Sequence, residues 1–122
     1  RLIALSLQQI KQMLDVGQLQ RAEAQARMLL TAPIDHRDAR FLLAVALFLQ
    51  RRYDESIAVN QQLVKDHPGF DEGWLQLALV QESSGRFAEA LISYQRLRGH
   101  TLNAEMRNIA ADRQLGLEER IP

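Results

Sequence analysis

The sequence predicts an all-α fold of repeated helix pairs, about seven helices in all, and three observations carry that reading. Residues recur at a step of 34: Phe87, Tyr53 and Leu19; Ala90, Ser56 and Ala22; Leu97, Leu63 and Leu29; Gly85, Arg51 and Gly17. Within each copy, apolar residues return at i, i+3, i+4 and i+7, the period of one helix face, and no stretch sustains the alternation of a strand. Leu, Ala, Gln, Arg and Glu, all good helix formers, dominate the composition.

The elements follow in order. The first copy, roughly residues 3–36, has a helix over about 2–16, a turn at Gly17-Gln18, a helix over 19–30, and a stop at Thr31-Ala32-Pro33. The second, 37–70, has helices over about 41–50 and 53–65, a turn at Arg51-Arg52, and a stop at Asp66-His67-Pro68-Gly69, where proline cannot continue a helix. The third, 71–104, carries Trp74, Leu77, Ala78 and Gln81 on one helical face. Ser83-Ser84-Gly85-Arg86 interrupts, Phe87, Ala90, Leu91, Tyr94 and Leu97 form a second stripe, and Gly99 is the expected stop. A last amphipathic helix is expected over about 102–119, with Leu102, Met106, Ile109, Ala110 and Leu117 facing inward. It would cover the apolar side of the third pair, as the end of a stack requires. Small residues at Ala22, Ser56 and Ala90 let helices approach closely. Leu19, Tyr53 and Phe87 fill the joints, and Gly17 and Gly85 permit tight turns with positive φ.

These residues resemble the tetratricopeptide repeat, whose pattern is Trp-x2-Leu-Gly-x2-Tyr, then Ala-x3-Phe, then Pro. Trp74, Leu77, Ala78, Ala90 and Tyr94 match in the third copy; Leu43, Ala44, Tyr53 and Pro68 in the second; Gly17, Ala22 and Pro33 in the first. The resemblance covers about residues 3–102 and implies a right-handed helix-turn-helix solenoid, a single domain over 1–122. The departures are Ser6 and Gln9 at large apolar positions, Arg40 for tryptophan, Arg51 for the turn glycine, and Gln81 for tyrosine. The first helix is therefore either shifted in register or an outer capping helix.

The resemblance implies that the first helix of each pair lines a concave face. Carried over repeat by repeat, that face contains Leu7, Lys11 and Leu14; Asp38, Phe41, Val45 and Phe48; and Leu75, Leu79 and Glu82. Its middle is apolar, and exposed apolar patches mark partner sites. The expected occupant is an apolar peptide or amphipathic helix, with Lys11, Asp38, Glu72 and Glu82 setting its orientation. Cover by another part of a longer protein, and burial of Phe41 and Phe48 as plain core, are the alternatives. The family's clamp for acidic C-termini is not expected, because Leu7, Lys11, Leu42, Glu72 and Gln76 hold the matching positions and only Lys11 is basic.

Net charge is zero, with 15 basic and 15 acidic residues, which disfavours nucleic acid or an anionic membrane as partner. No cysteine is present, which excludes disulfides and thiolate chemistry. His36, His67 and His100 recur near the ends of the repeats, at a loop spacing of about 10 Å and more, whereas a metal's ligands lie about 2 Å from it. No phosphate loop, dinucleotide fingerprint or nucleophile elbow occurs. The Asp54-Glu55 and Glu118-Glu119 doublets suit helix starts and solvated faces better than paired-acid catalysis. Neither a cofactor nor a metal is expected, and the expected role is non-catalytic protein binding. Two rivals stand beside it: an accessory domain of a larger bacterial enzyme, such as a sulfotransferase or glycosyltransferase, and a self-assembling oligomerisation module. Thirteen arginines against two lysines lean bacterial. A start at Arg1 rather than methionine suggests a piece of a longer protein, and the compartment stays open between cytoplasm and periplasm.

Overall fold

The computed structural model describes residues 2–33 and 35–122; Arg1, and Ile34 inside the first repeat, lie outside the described residues. Among the described residues seven α-helices follow one another: α1 (Leu2–Asp15), α2 (Leu19–Leu29), α3 (Arg37–Leu49), α4 (Tyr53–Asp66), α5 (Asp71–Ser83), α6 (Phe87–His100) and α7 (Ala104–Glu118). No strand occurs among them. The helices fall into two compact units, one reaching to Leu63 and the other Val64–Pro122, with the division running through α4.

In the first unit α2 packs on both α1 and α3, and α1 also meets α3. Ile10, Ala22, Ala26, Leu42, Leu43, Ala46 and Leu47 form the buried centre, with Leu7, Met13, Leu14, Leu29, Leu30, Phe41 and Val59 packed against it. Fully burying one such Leu or Ile is worth about 1.5–3 kcal/mol. The question about α1 resolves here. Its closing turn keeps the register of the other two, so the helix is not shifted. Its inward stripe runs through Ile10, which is fully buried, while Gln9 is exposed. Ser56, the polar member of the small-residue column, is also fully buried. Its hydroxyl donates to the Ala44 carbonyl at 2.7 Å, so the polar atom carries no desolvation penalty and the helices still approach closely.

The three intrapair turns are built alike. Gln18, Arg52 and Arg86 donate their amides to the carbonyls of Met13, Leu47 and Gln81, five residues back. Gly17, Arg51 and Gly85 donate to Leu14, Phe48 and Glu82, three residues back. This double bond pattern satisfies the last carbonyls of a helix and needs a left-handed residue at its centre. Gly17 and Gly85 supply φ of 81° each, and Arg51 adopts φ 62°. For a non-glycine residue that conformation costs about 1–2 kcal/mol. A cation beside a helix C-terminus returns about 0.3–1 kcal/mol. Gly85→Ala is therefore expected to lower stability in urea denaturation by about 1–2 kcal/mol. A Cβ there meets no atom within 4 Å, so the effect is conformational rather than steric. Gly69→Ala, with equal space and no positive φ, is the control and should not lower stability.

In the second unit α6 packs against both α5 and α7. Trp74, Leu77, Ala78, Val80, Ala90, Tyr94, Leu97, Ala110 and Leu117 are buried there. Gln81, where the family has tyrosine, is buried and accepts from the Ser93 hydroxyl at 2.6 Å. The Thr101 hydroxyl donates to Asp71 at 2.6 Å, and His100 Nε2 lies 3.2 Å from the same carboxylate. These contacts set the end of α6: it continues through Gly99 to His100, and Thr101 turns extended. A glycine in the last turn costs only about 1 kcal/mol and does not itself stop a helix. The final helix starts two residues later than expected, because the Asn103 side chain caps it by accepting from the Met106 amide at 3.0 Å. Leu102 precedes the cap and is 94% exposed, so it is not part of the inward stripe.

Candidate functional site

The residues expected to line the face fall into the two units, those of α1 and α3 in the first and those of α5 in the second. In the first unit, Leu7 and Leu14 of α1 are half-buried against the core, and Lys11 between them is exposed. One helical turn or two separates these residues, so they share a side of α1. On α3, Phe41, Val45 and Phe48 are half-buried, and Leu49 is 45% exposed. The Phe48 ring stands 5.9 Å from that of Tyr53, tilted by 46°, which props its position at the end of the helix. Asp38 is exposed at the start of α3 and accepts from the Arg37 guanidinium at 3.2 Å.

In the second unit, Leu75 and Leu79 of α5 are half-buried. Glu82 is engaged within the fold: one carboxylate oxygen accepts from the Tyr94 hydroxyl at 2.7 Å, and the other lies 3.3 Å from the Arg113 guanidinium. Burial, and then the hydrogen bond to Glu82, push the Tyr94 phenol far above its ordinary range, so it stays a donor. Glu82 thus ties α5 to α6 and α7.

Two features near the first face escape sequence reading. The first is a charged clasp. Glu23 of α2 accepts from Arg27 at 3.0 Å, from Gln50 at 3.0 Å and from Arg52 at 2.6 Å. Arg52 also grips Glu55 with two bonds of 2.7 and 3.0 Å. Burial works against the Glu23 charge, but the bonds from Gln50, Arg52 and Arg27 outweigh it and hold its carboxyl below the usual range. The hydrogen bond to Glu55, and then that to Glu23, raise the Arg52 guanidinium further above its usual range. The second feature is the neighbouring Arg51, which is exposed and whose side chain makes no hydrogen bond or ion pair with any described residue. The arginine doublet thus splits into one bound and one open guanidinium. The signal for Arg51 was its place in the glycine column; nothing local points to the Glu23 clasp.

Among the described residues no group of three or more His, Asp or Glu comes together as a metal would require. No helix among them is long and apolar enough to cross a membrane.

The helix pairs, their equivalent turns and the 34-residue columns have a counterpart among known families: the tetratricopeptide repeat model matches residues 11–69, from within α1 to the loop after α4. The chain belongs to the tetratricopeptide repeat family. No match was found among curated proteins. In this tetratricopeptide protein the third copy extends the same helix-turn-helix plan beyond the matched residues, with Gly85 at the left-handed turn position and Ala90 fully buried.

Proposed function

We propose that this tetratricopeptide protein is a non-catalytic interaction module whose α1/α3 face binds an apolar or amphipathic segment of a protein partner. Tetratricopeptide repeats generally mediate protein–protein interaction. The observation that carries the finer reading is the run Phe41, Val45, Phe48 and Leu49 on one helix. Phe41 packs partly against the core of Leu42, Leu43, Ala46 and Leu47, Val45 and Phe48 are half-buried, and Leu49 is 45% exposed, so apolar surface on this helix remains open to solvent. Leu7 and Leu14 extend the apolar surface on the neighbouring helix. Affinity would come from covering these side chains, as in helix-in-groove recognition. Zero net charge supports a protein rather than a nucleic acid as the partner.

The test is anisotropy with a panel of labelled amphipathic peptides. Phe48→Glu is expected to abolish binding while costing about 1 kcal/mol of stability, since only part of the ring's contact is lost. Leu49→Glu, at a more exposed position, should weaken binding with stability unchanged within about 0.5 kcal/mol. Undiminished binding by both folded variants would sink the reading.

A further inference from the structure

We infer that Arg51 is a specificity-determining residue of this face and reads an acidic side chain on an amphipathic partner segment; the inference rests on the interaction reading above. Three observations converge on it. Arg51 occupies a left-handed turn position, at φ 62°, where the equivalent residues are Gly17 and Gly85. The conformational cost of arginine there exceeds what a cation returns at a helix C-terminus. The fold therefore carries a cost that glycine would remove, and such outliers mark functional positions.

The guanidinium is also open. Arg52 beside it is bound to Glu23 and Glu55, whereas the Arg51 side chain has no hydrogen bond or ion pair with any described residue. Its backbone amide donates to the Phe48 carbonyl at 2.8 Å, so Arg51 sits in the turn that closes α3, two residues after the apolar run ends in Phe48 and Leu49.

The charge balance of the two helices sets the chemistry of the occupant. Lys11, exposed between Leu7 and Leu14, has no ion pair with any described residue either. Of the acids on α1 and α3, Asp38 is tied to Arg37, and Asp15 is exposed at the C-terminal end of α1, one turn beyond Lys11. An apolar face with an exposed lysine on α1 and an exposed arginine in the turn after α3 complements an apolar stripe flanked by carboxylates. Guanidinium accepts a carboxylate in a two-bond fork, which gives geometric selectivity as well as charge. Lys11 contributes attraction without that geometry.

The experiment compares three C-terminally amidated amphipathic peptides that share one Leu/Phe stripe and carry Glu, Gln or Lys beside it. The natural protein is expected to bind the Glu peptide about three- to tenfold more tightly than the Gln peptide, and the Lys peptide least. The preference should shrink as salt rises through the range where exposed charges are screened. Arg51→Gly is expected to lose most of the preference for the Glu over the Gln peptide, with a urea midpoint at or above that of the natural protein. Arg51→Lys should retain part of the preference. Equal binding of the Glu and Gln peptides by the natural protein, or an undiminished preference in Arg51→Gly, overturns the inference and leaves the interaction reading standing. Binding of none of the three overturns both.

Discussion

Replacing Tyr94 with alanine is expected to destabilise the protein by about 3–5 kcal/mol, as large-to-small changes of buried aromatics do. Tyr94 is fully buried in α6, the helix packed on both α5 and α7. Truncation would leave a ring-sized void among residues that cannot all collapse into it. It would also take the 2.7 Å donor away from Glu82, leaving that carboxylate to Arg113 alone. Tyr94→Phe separates the two contributions: it keeps the ring and should cost about 1 kcal/mol. Urea denaturation followed by circular dichroism measures both. A loss below about 1 kcal/mol for the alanine variant would show that the packing around the ring is looser than the burial indicates.

The residue one repeat upstream should respond in the opposite direction. Asn60 stands 34 positions before Tyr94, and Ala26 a further 34 before that. It is fully buried, and neither its Nδ2 nor its Oδ1 has a hydrogen-bond partner among the described residues. Unpaired buried polar atoms cost about 1–3 kcal/mol. Leucine is similar in volume and branches at the same carbon, so Asn60→Leu is expected to raise stability by about 1–3 kcal/mol. Asn60→Asp, which places a charge in the same surroundings, should lower it. A destabilised leucine variant would mean that the amide is satisfied in solution by a buried partner. One column of the repeat thus carries an alanine, a costly amide and a stabilising phenol, so family position alone does not set a residue's energetic role.

The parts of the fold that depend on local periodicity were legible in the sequence. The helix pairs and turns follow from the 34-residue step, and Gly17 and Gly85 fell at their left-handed positions. The small residues Ala22, Ser56 and Ala90 are all fully buried, as close helix approach requires. Where partners come from distant residues, the reading ran out. Gln9 stands where the other copies bury Leu43 and Leu77, but inward direction depends on which helices pack there: Gln9 is exposed, and Ile10, in the column of Ala44 and Ala78, is fully buried. Gly99 looked like a stop, but contacts to Asp71, 30 residues upstream of Thr101, decide the end of α6. The clasp joins Glu23 to Gln50 across 27 residues, and no periodicity encodes such a pair. For the candidate face, the apolar run on α3 was legible from family register. The internal engagement of Glu82 and the open state of Arg51 depend on side-chain geometry.

Trp74 is the chain's one tryptophan, and its surroundings make it an optical reporter with a restricted field of view. Its indole N–H donates to the Pro68 carbonyl at 2.9 Å, the Arg96 guanidinium lies 5.2 Å from the ring centre, and His100 approaches edge-on at 6.2 Å. All of these neighbours belong to Val64–Pro122. Tryptophan emission therefore records the state of that half of the chain, while circular dichroism averages over all seven helices. Overlaying the two signals along one denaturant gradient turns a single native residue into a gauge of whether the two halves melt together.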